Sequence, residues 1–184
     1  MPNTSRLRLI YLLYFSQPSE YRPVYRAIHR QQARKILQLG LGIGQTALRM
    51  IEVAGRLTPL RQIHFAAVDP FDARSAADGP GVTLKMAHRL LTSTGARVHL
   101  VPGYPSVELA RVANSLGQVD LLVLSARQNL RDSDRAWFYV PRLLHERSQV
   151  FLERLLPGGS TALRLVPRGE IDALAAAAAR RRAA

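Results

Sequence analysis

A glycine-rich turn between an apolar run and a helical pattern constrains this chain more than any other stretch. Residues 35–44 read Lys-Ile-Leu-Gln-Leu-Gly-Leu-Gly-Ile-Gly, so glycine occupies alternate positions at Gly40, Gly42 and Gly44. Glycine is favoured where the backbone takes a positive φ or approaches a ligand closely. A helical pattern over 45–52 follows at once, and a helix N-terminus offers unpaired N–H groups with partial positive charge. The stretch predicts a strand, a tight turn and a helix that together form a binding loop.

The spacing of these glycines differs from that of a dinucleotide-binding loop. A dinucleotide fingerprint, Gly-x-Gly-x-x-Gly, would place glycine at position 45, where this chain has Gln45. The missing glycine disfavours a nicotinamide or flavin site. Another nucleotide-binding α/β protein stays open only as a minor alternative.

Short apolar runs alternate with helical patterns along the rest of the chain. The predicted strands are 35–41, 63–68, 96–101, 119–124 and 161–166, and the predicted helices are 19–32, 45–55, 82–94, 106–116 and 170 onward. Residues 131–156 are predicted to be mostly helical, in two pieces because Pro141 would break a helix. Strands that alternate with helices predict an α/β fold, with a mostly parallel central sheet covered by helices on both faces.

The length of 184 residues and the lack of a linker predict a single domain over 1–184. Within it we distinguish an N-terminal apolar segment and helix (1–34), a binding core (35–168) and an Ala/Arg-rich C-terminal helix or tail (169–184). The apolar run 9–15 is far shorter than the roughly 20 residues of a membrane span. No small-residue cleavage site follows it, so we expect a cytoplasmic protein that does not bind membranes.

Charge and cysteine content bound the partners and the chemistry. The chain has no cysteine, which excludes disulfides, thiolate metal sites and a cysteine nucleophile. The five histidines show no metal-ligand spacing, so no metal site is predicted. The net charge is +13, and such a field attracts polyanions. Because the arginines are scattered along the chain, we expect RNA binding that is indifferent to sequence and weakens steeply with salt.

Five features in order resemble the class I S-adenosylmethionine-dependent methyltransferases, over roughly residues 20–168. They are the glycine loop, Asp69 at the end of the second predicted strand, 101–104 (Val-Pro-Gly-Tyr), 119–124 (Val-Asp-Leu-Leu-Val-Leu) and 155–159 (Leu-Leu-Pro-Gly-Gly). The resemblance implies the Rossmann-like class I methyltransferase fold and S-adenosylmethionine as cofactor. The sheet is expected to be shortened at its C-terminal edge, because little sequence follows Val166.

The resemblance also implies a set of cofactor-binding residues. Asp69, with Asp72 as substitute, would accept hydrogen bonds from the ribose, and Pro70 and Phe71 would give the adenine an apolar surface. The full set that it implies is Gln38, Gly40, Gly42, Gly44, Asp69, Pro70, Phe71, Tyr104 and Ser125.

Three of these positions depart from the usual family pattern. Gln38 stands where the family has an acid that holds the cofactor's ammonium, Tyr104 where it has Asp or Asn, and Ser125 where many members have Asp. Methylation of adenine or glutamine amino groups and metal-dependent catechol methylation are therefore disfavoured. Ser125, Tyr104, Asp132 and His145 are the available general bases, and no catalytic residue is assigned among them.

The sequence supports one leading hypothesis and two alternatives. The leading hypothesis is an S-adenosylmethionine-binding methyltransferase whose acceptor, small or macromolecular, is unknown. The first alternative is a catalytically degenerate binding module that kept the sheet, which the departures at Gln38, Tyr104 and Ser125 favour. The second is an RNA methyltransferase that holds phosphates on its arginine-rich surface. The oligomeric state is not predicted.

Overall fold

A six-stranded, mostly parallel sheet organises the part of the chain that the computed structural model describes, residues 6–126, 135–156 and 160–183. The strands are β1 (Lys35–Leu39), β2 (His64–Asp69), β3 (Arg97–Pro102), β4 (Val119–Leu124), β5 (Leu144–Leu155) and β6 (Thr161–Val166). Their order across the sheet is β3-β2-β1-β4-β5-β6. Strands β1 to β5 pair in parallel, and β6 pairs antiparallel with β5.

Helices cover both faces of this sheet, as the sequence predicts. They are α1 (Arg6–Ile10), α2 (Arg22–Gln31), α3 (Gln45–Ala54), α4 (Leu84–Thr92), α5 (Pro105–Leu116) and α6 (Arg168–Ala183). One apolar core includes buried side chains of α2, α3 and α4, and a second core, built around Trp137, includes those of α5 and α6. The β4 run Leu121–Leu124 is buried throughout, which is typical of a central parallel strand.

The predicted helical region 131–156 is wrong in its second half. Residues 144–155 form β5 because Val150, Phe151 and Leu152 are buried beside β4, and that packing overrides local propensity. Residues 135–143 form short 3₁₀ turns, one of which contains Pro141. Strand β5 supplies the additional strand of the sheet, whereas the N-terminal apolar segment adds none among residues 6–34 and forms α1 and a π-helical turn over Tyr11–Phe15. Residues 127–134 and 157–159, which include Asp132 and the Pro-Gly-Gly turn, lie outside the described residues.

Helix α2 and the turn before it pack through one face with helical spacing. Tyr21, Val24, Tyr25 and Ile28 are all buried. Burial raises the pKa of Tyr25 to about 12, so its hydroxyl stays neutral at physiological pH. Within the described ranges, every helix is too short or too polar to span a bilayer.

The Asp120 carboxylate joins three strands at the amino edge of the sheet, where the parallel strands begin. Its Oδ2 accepts the backbone N–H groups of Arg34 and Lys35 at 2.7 and 2.8 Å. Its Oδ1 lies 3.1 Å from Nε2 of His145, at the start of β5. Partial burial would raise the pKa of Asp120, but the two N–H donors and His145 outweigh it, and the pKa lies below its usual range.

We expect Asp120→Ala to lower the free energy of unfolding at neutral pH by about 1.5–3 kcal/mol, the usual value of hydrogen bonds to a charged group. Since the folded state lowers the pKa, this contribution is complete above the unfolded pKa of about 3.9 and disappears as pH falls through the folded value. Urea titrations at neutral and acidic pH measure both effects. Asp172→Ala, which removes an exposed ion pair to Arg168, is the control and should cost under about 0.5 kcal/mol. A cost for Asp120→Ala that does not change with pH would contradict this role.

Candidate functional site at the carboxyl edge of the sheet

The predicted strand, turn and helix are present at the glycine loop. Strand β1 ends at Leu39, and Gly40, Gly42 and Gly44 take φ values of +90°, +60° and +81°. Gly44 is the residue before α3, and no side chain caps that helix. The first N–H groups of α3 therefore face the carboxyl edge of the sheet without a side-chain partner, as an anionic ligand group requires.

The loop lies where the chain reverses its direction across the sheet. Strand β1 has β2 on one side and β4 on the other, and the crossovers from these strands cover opposite faces. In open parallel sheets this switch point is where ligands bind. Short backbone bonds fix its borders: Ser125 N–H donates to Leu39 O at 2.8 Å, and Gly103 N–H donates to Asp69 O at 2.9 Å.

Three polar side chains extend from neighbouring strands onto one face of this edge. Gln38, Ser125 and Glu153 each lie two residues beyond a member of the core that contains α3, namely Ile36, Val123 and Phe151. Side chains two apart on a strand share a face, so all three lie on the α3 side of the sheet. Sequence reasoning finds the first two and misses Glu153, because 131–156 reads as a helix. One sequence signal does indicate Glu153: the apolar run Val150–Leu152 is followed directly by an acid, as the apolar run of β2 is followed by Asp69.

Gln38 has an unused acceptor in the interior. Its side chain is 1% exposed, and Nε2 donates to Gly40 O at 2.9 Å and to Thr46 Oγ1 at 3.4 Å. Its Oε1 is buried and has no hydrogen-bond partner in the described part of the chain. A buried acceptor without a donor costs about 1–3 kcal/mol, so this atom is suited to a donor that a ligand supplies.

Glu153 is held beside the loop by two donors. Its Oε2 accepts Ser125 Oγ–H at 2.9 Å and Ala126 N–H at 3.1 Å. The Glu153 carboxylate also interacts electrostatically with Tyr21. Burial, and then the charge of Glu153, raise the pKa of the Tyr21 hydroxyl well above its ordinary value. The N-terminal helices therefore border the same side of the site as β5.

Asp69 is fully buried, and both of its oxygens already have partners. Oδ2 accepts Leu41 N–H at 2.7 Å and Gly42 N–H at 3.3 Å, and Oδ1 accepts Phe71 N–H at 2.8 Å. The Arg74 guanidinium also bonds both oxygens. In this conformation Asp69 supports the glycine loop, and both of its carboxylate oxygens are engaged within the protein instead of being open to ribose hydroxyls. The substitute acid, Asp72, accepts Leu84 N–H at 2.9 Å at the start of α4.

The segment that follows β2 closes over the loop. Arg74 Nη1 donates to Asp78 O at 2.9 Å, and Val82 N–H donates to Gly42 O at 3.2 Å. Tyr104, one of the predicted cofactor-binding residues, donates its hydroxyl to Asp78 Oδ2 at 2.9 Å, and this bond raises the pKa of Tyr104. We call residues 74–82 the β2 strap.

The remaining predicted residues fall in different places. Pro70 is buried, and Phe71 is only 3% exposed within the core of α2 to α4, so its ring is not at the surface of the site. His145 lies at the opposite edge beside Asp120, remote from the glycine loop. Among the described residues, no three His, Asp or Glu side chains come together in a way that would hold a metal ion.

We expect Asp69→Ala to destabilise the fold far more than Asp72→Ala. Removing Asp69 leaves the Arg74 guanidinium, 10% exposed, without its counter-charge and three N–H groups without an acceptor, a loss of about 3–5 kcal/mol. Asp72 is exposed and acts as a helix cap, so its loss should cost about 0.5–2 kcal/mol. Urea unfolding of the two variants provides the comparison. Equal costs would mean that the loop does not depend on Asp69.

Comparison with solved structures gives the class of this fold, although no family model and no curated protein matches the sequence. An O-methyltransferase from Bacillus cereus in complex with S-adenosylhomocysteine is 13% identical, with a TM-score of 0.56, over 93% of this chain and 72% of that one. TomG, an O-methyltransferase from Streptomyces achromogenes in complex with S-adenosylmethionine, is also 13% identical, with a TM-score of 0.56, over 91% and 69%.

A shorter match has the same architecture. A Staphylococcus aureus protein described as a proposed caffeoyl-CoA O-methyltransferase is 15% identical, with a TM-score of 0.52 over 82% of this chain. The present chain spans 58% of the length of that protein. These likenesses confirm the sequence resemblance at the level of architecture: the chain has the class I S-adenosylmethionine-dependent methyltransferase fold.

Proposed function

We propose that this protein binds S-adenosylmethionine at the carboxyl edge of its sheet and is a methyltransferase. The observation that carries the proposal is the glycine turn at the switch point, which leads into an uncapped helix N-terminus. Structures with the same fold that were solved with S-adenosylmethionine or S-adenosylhomocysteine support the choice of cofactor.

The donors and acceptors at the edge fit the methionine part of this cofactor. Gln38 Oε1 is the buried acceptor that its ammonium would use, and the N–H groups at the start of α3 would receive its carboxylate. Gln38 carries no charge, so it would hold the ammonium by a hydrogen bond without an ion pair.

The ribose side fits only after a change in the β2 strap. Asp69 can accept ribose hydroxyls only if Arg74 releases part of the carboxylate, since the guanidinium bonds both oxygens. Arg74 retains a partner when it moves, because Nη1 also donates to Asp78 O. We propose that the strap exchanges the Asp69–Arg74 bond for bonds to the cofactor.

The reaction itself needs positioning and, for some acceptors, removal of a proton. When bound, the cofactor supplies an activated methyl group. The chain aligns the acceptor with it and shields both from water, and such alignment provides much of the acceleration. Glu153, held at Oε2 by Ser125 and Ala126, is the carboxylate that would take the proton of a hydroxyl or amine acceptor.

We expect Gly42→Ala to weaken binding of S-adenosylhomocysteine by at least about tenfold, measured by calorimetric titration. The added methyl group would have Pro80 O at 3.9 Å as its nearest neighbour, so its main effect falls on the space above the loop. Gly117→Ala is a matched control, because Gly117 has φ +63° and nothing within 4 Å of the new atom. Both substitutions place a Cβ at a positive φ, so backbone strain is present in the control as well. Unchanged affinity in folded Gly42→Ala would exclude this loop as the site.

We expect Glu153→Gln to retain affinity for S-adenosylhomocysteine and to lower methyl transfer by about 10²–10⁴-fold, the usual contribution of a general base. Label from S-adenosylmethionine is followed into a panel of phenols, amines and structured RNA. Ser125→Ala is the control that removes one donor to the carboxylate and keeps the base. Full activity in Glu153→Gln would contradict its role. Tight binding with no transfer to any acceptor would favour the degenerate binding module, and transfer to RNA alone would favour the RNA methyltransferase.

A further inference from the structure

Two cationic side chains, with a histidine between them, lie in one row across the amino edge of the sheet. Lys35, His64 and Arg97 are the first residues of β1, β2 and β3, and the strand register pairs Lys35 with His64 and His64 with Arg97. All three are exposed and point to the same face of the sheet. The row is at the opposite end of the strands from the glycine loop, because β1 to β3 are parallel.

The charges of Lys35 and Arg97 act on the histidine between them. Partial desolvation, and then the charges of Arg97 and Lys35, lower the pKa of His64. No described acid forms an ion pair or a hydrogen bond with the side chains of Lys35 or Arg97. An anion placed along the row would neutralise both charges and favour the protonated form of His64.

The positive charge continues past the row into an adjoining cavity. A cavity of about 420 Å³ beside the start of β1 and β5 is lined by the exposed arginines Arg30, Arg34 and Arg147, together with Asp120 and His145. The one carboxylate there already accepts two backbone N–H groups and contacts His145. A second cavity, of about 310 Å³, lies along the row itself and adds His99.

The shape of this array suits a chain of phosphates better than a single anion. Neighbouring strands lie about 4.8 Å apart, so the edge from β3 across β2, β1 and β4 to β5 extends about 19 Å. That length covers several successive phosphates of an extended strand. Phe65, which lines the second cavity, is buried, so the described lining of the two cavities offers no exposed Phe, Tyr or Trp ring on which a base could stack.

We propose that the amino edge of the sheet binds the phosphodiester backbone of a nucleic acid, without reading its sequence. The basic edge comprises Arg30, Arg34, Lys35, His64, Arg97 and Arg147. This site is separate from the proposed cofactor site and does not depend on it. Phosphate contacts position a nucleic acid, whereas base contacts specify sequence, and the basic edge supplies only the former.

The chain has only two lysines, Lys35 in the basic edge and Lys85 on α4, and both are exposed, which permits a footprint on the unaltered protein. The protein is acetylated with and without a mixed-sequence single-stranded RNA of about 20 nucleotides at low salt, a condition that favours phosphate contacts. We expect the RNA to slow modification of Lys35 several-fold and to leave Lys85 unchanged, as read by mass spectrometry. Equal protection, or none while RNA is bound, would overturn the proposal.

A pair of triple variants tests the same site by affinity. Arg34→Ala, Arg97→Ala and Arg147→Ala together remove three exposed charges from the basic edge. Arg89→Ala, Arg111→Ala and Arg180→Ala remove three exposed charges from α4, α5 and α6. Fluorescence anisotropy with the same RNA over a salt series should show the edge variant losing about two units of the slope of log K against log salt, since each contact contributes about 0.7. The helix variant should keep its slope. Equal losses in the two variants, or no loss in the edge variant, would mean that only the diffuse +13 field attracts RNA.

Discussion

The buried carboxylate of Asp69 is the interaction on which the site depends. It accepts N–H groups from the loops after two neighbouring strands, Leu41 and Gly42 after β1 and Phe71 after β2, and it pairs with Arg74. Glycines at positive φ allow the loop to turn sharply, but ordering them costs more conformational entropy than ordering other residues. The single carboxylate holds that turn against β2, and the N-terminus of α3 then faces the edge of the sheet.

The same contacts connect the loop to a segment that can rearrange. Arg74 bonds both Asp69 and Asp78 O, and Tyr104 bonds Asp78, so polar contacts hold the β2 strap in place. Such contacts exchange for ligand bonds at small net cost, because each donor finds a new acceptor. A cofactor that competes for Asp69 would therefore alter the strap without disturbing the apolar cores.

Local patterns predict much of this fold, and packing between distant residues decides the rest. The strand, glycine turn and helix at 35–54 follow from sequence because glycine spacing and an apolar run report local backbone needs. Strand β5 does not, since Leu144–Leu155 carries charged residues and becomes a strand only by pairing with β4. Because the local pattern does not predict β5, it does not predict Glu153 as a site residue either. The sequence predicts Asp69 at the end of β2, where it lies, but it does not show that Arg74, five positions later, folds back onto it.

Hydrogen–deuterium exchange of the wild-type protein with and without S-adenosylhomocysteine tests the central claim most directly, that the glycine loop is the cofactor site. At about 1 mM ligand, enough to saturate a site of micromolar affinity, we predict slower exchange in residues 40–48 and in the β2 strap. Residues 30–35 and 97–99 at the amino edge should exchange at an unchanged rate. Unchanged exchange at 40–48, or protection confined to another part of the chain, would contradict the account.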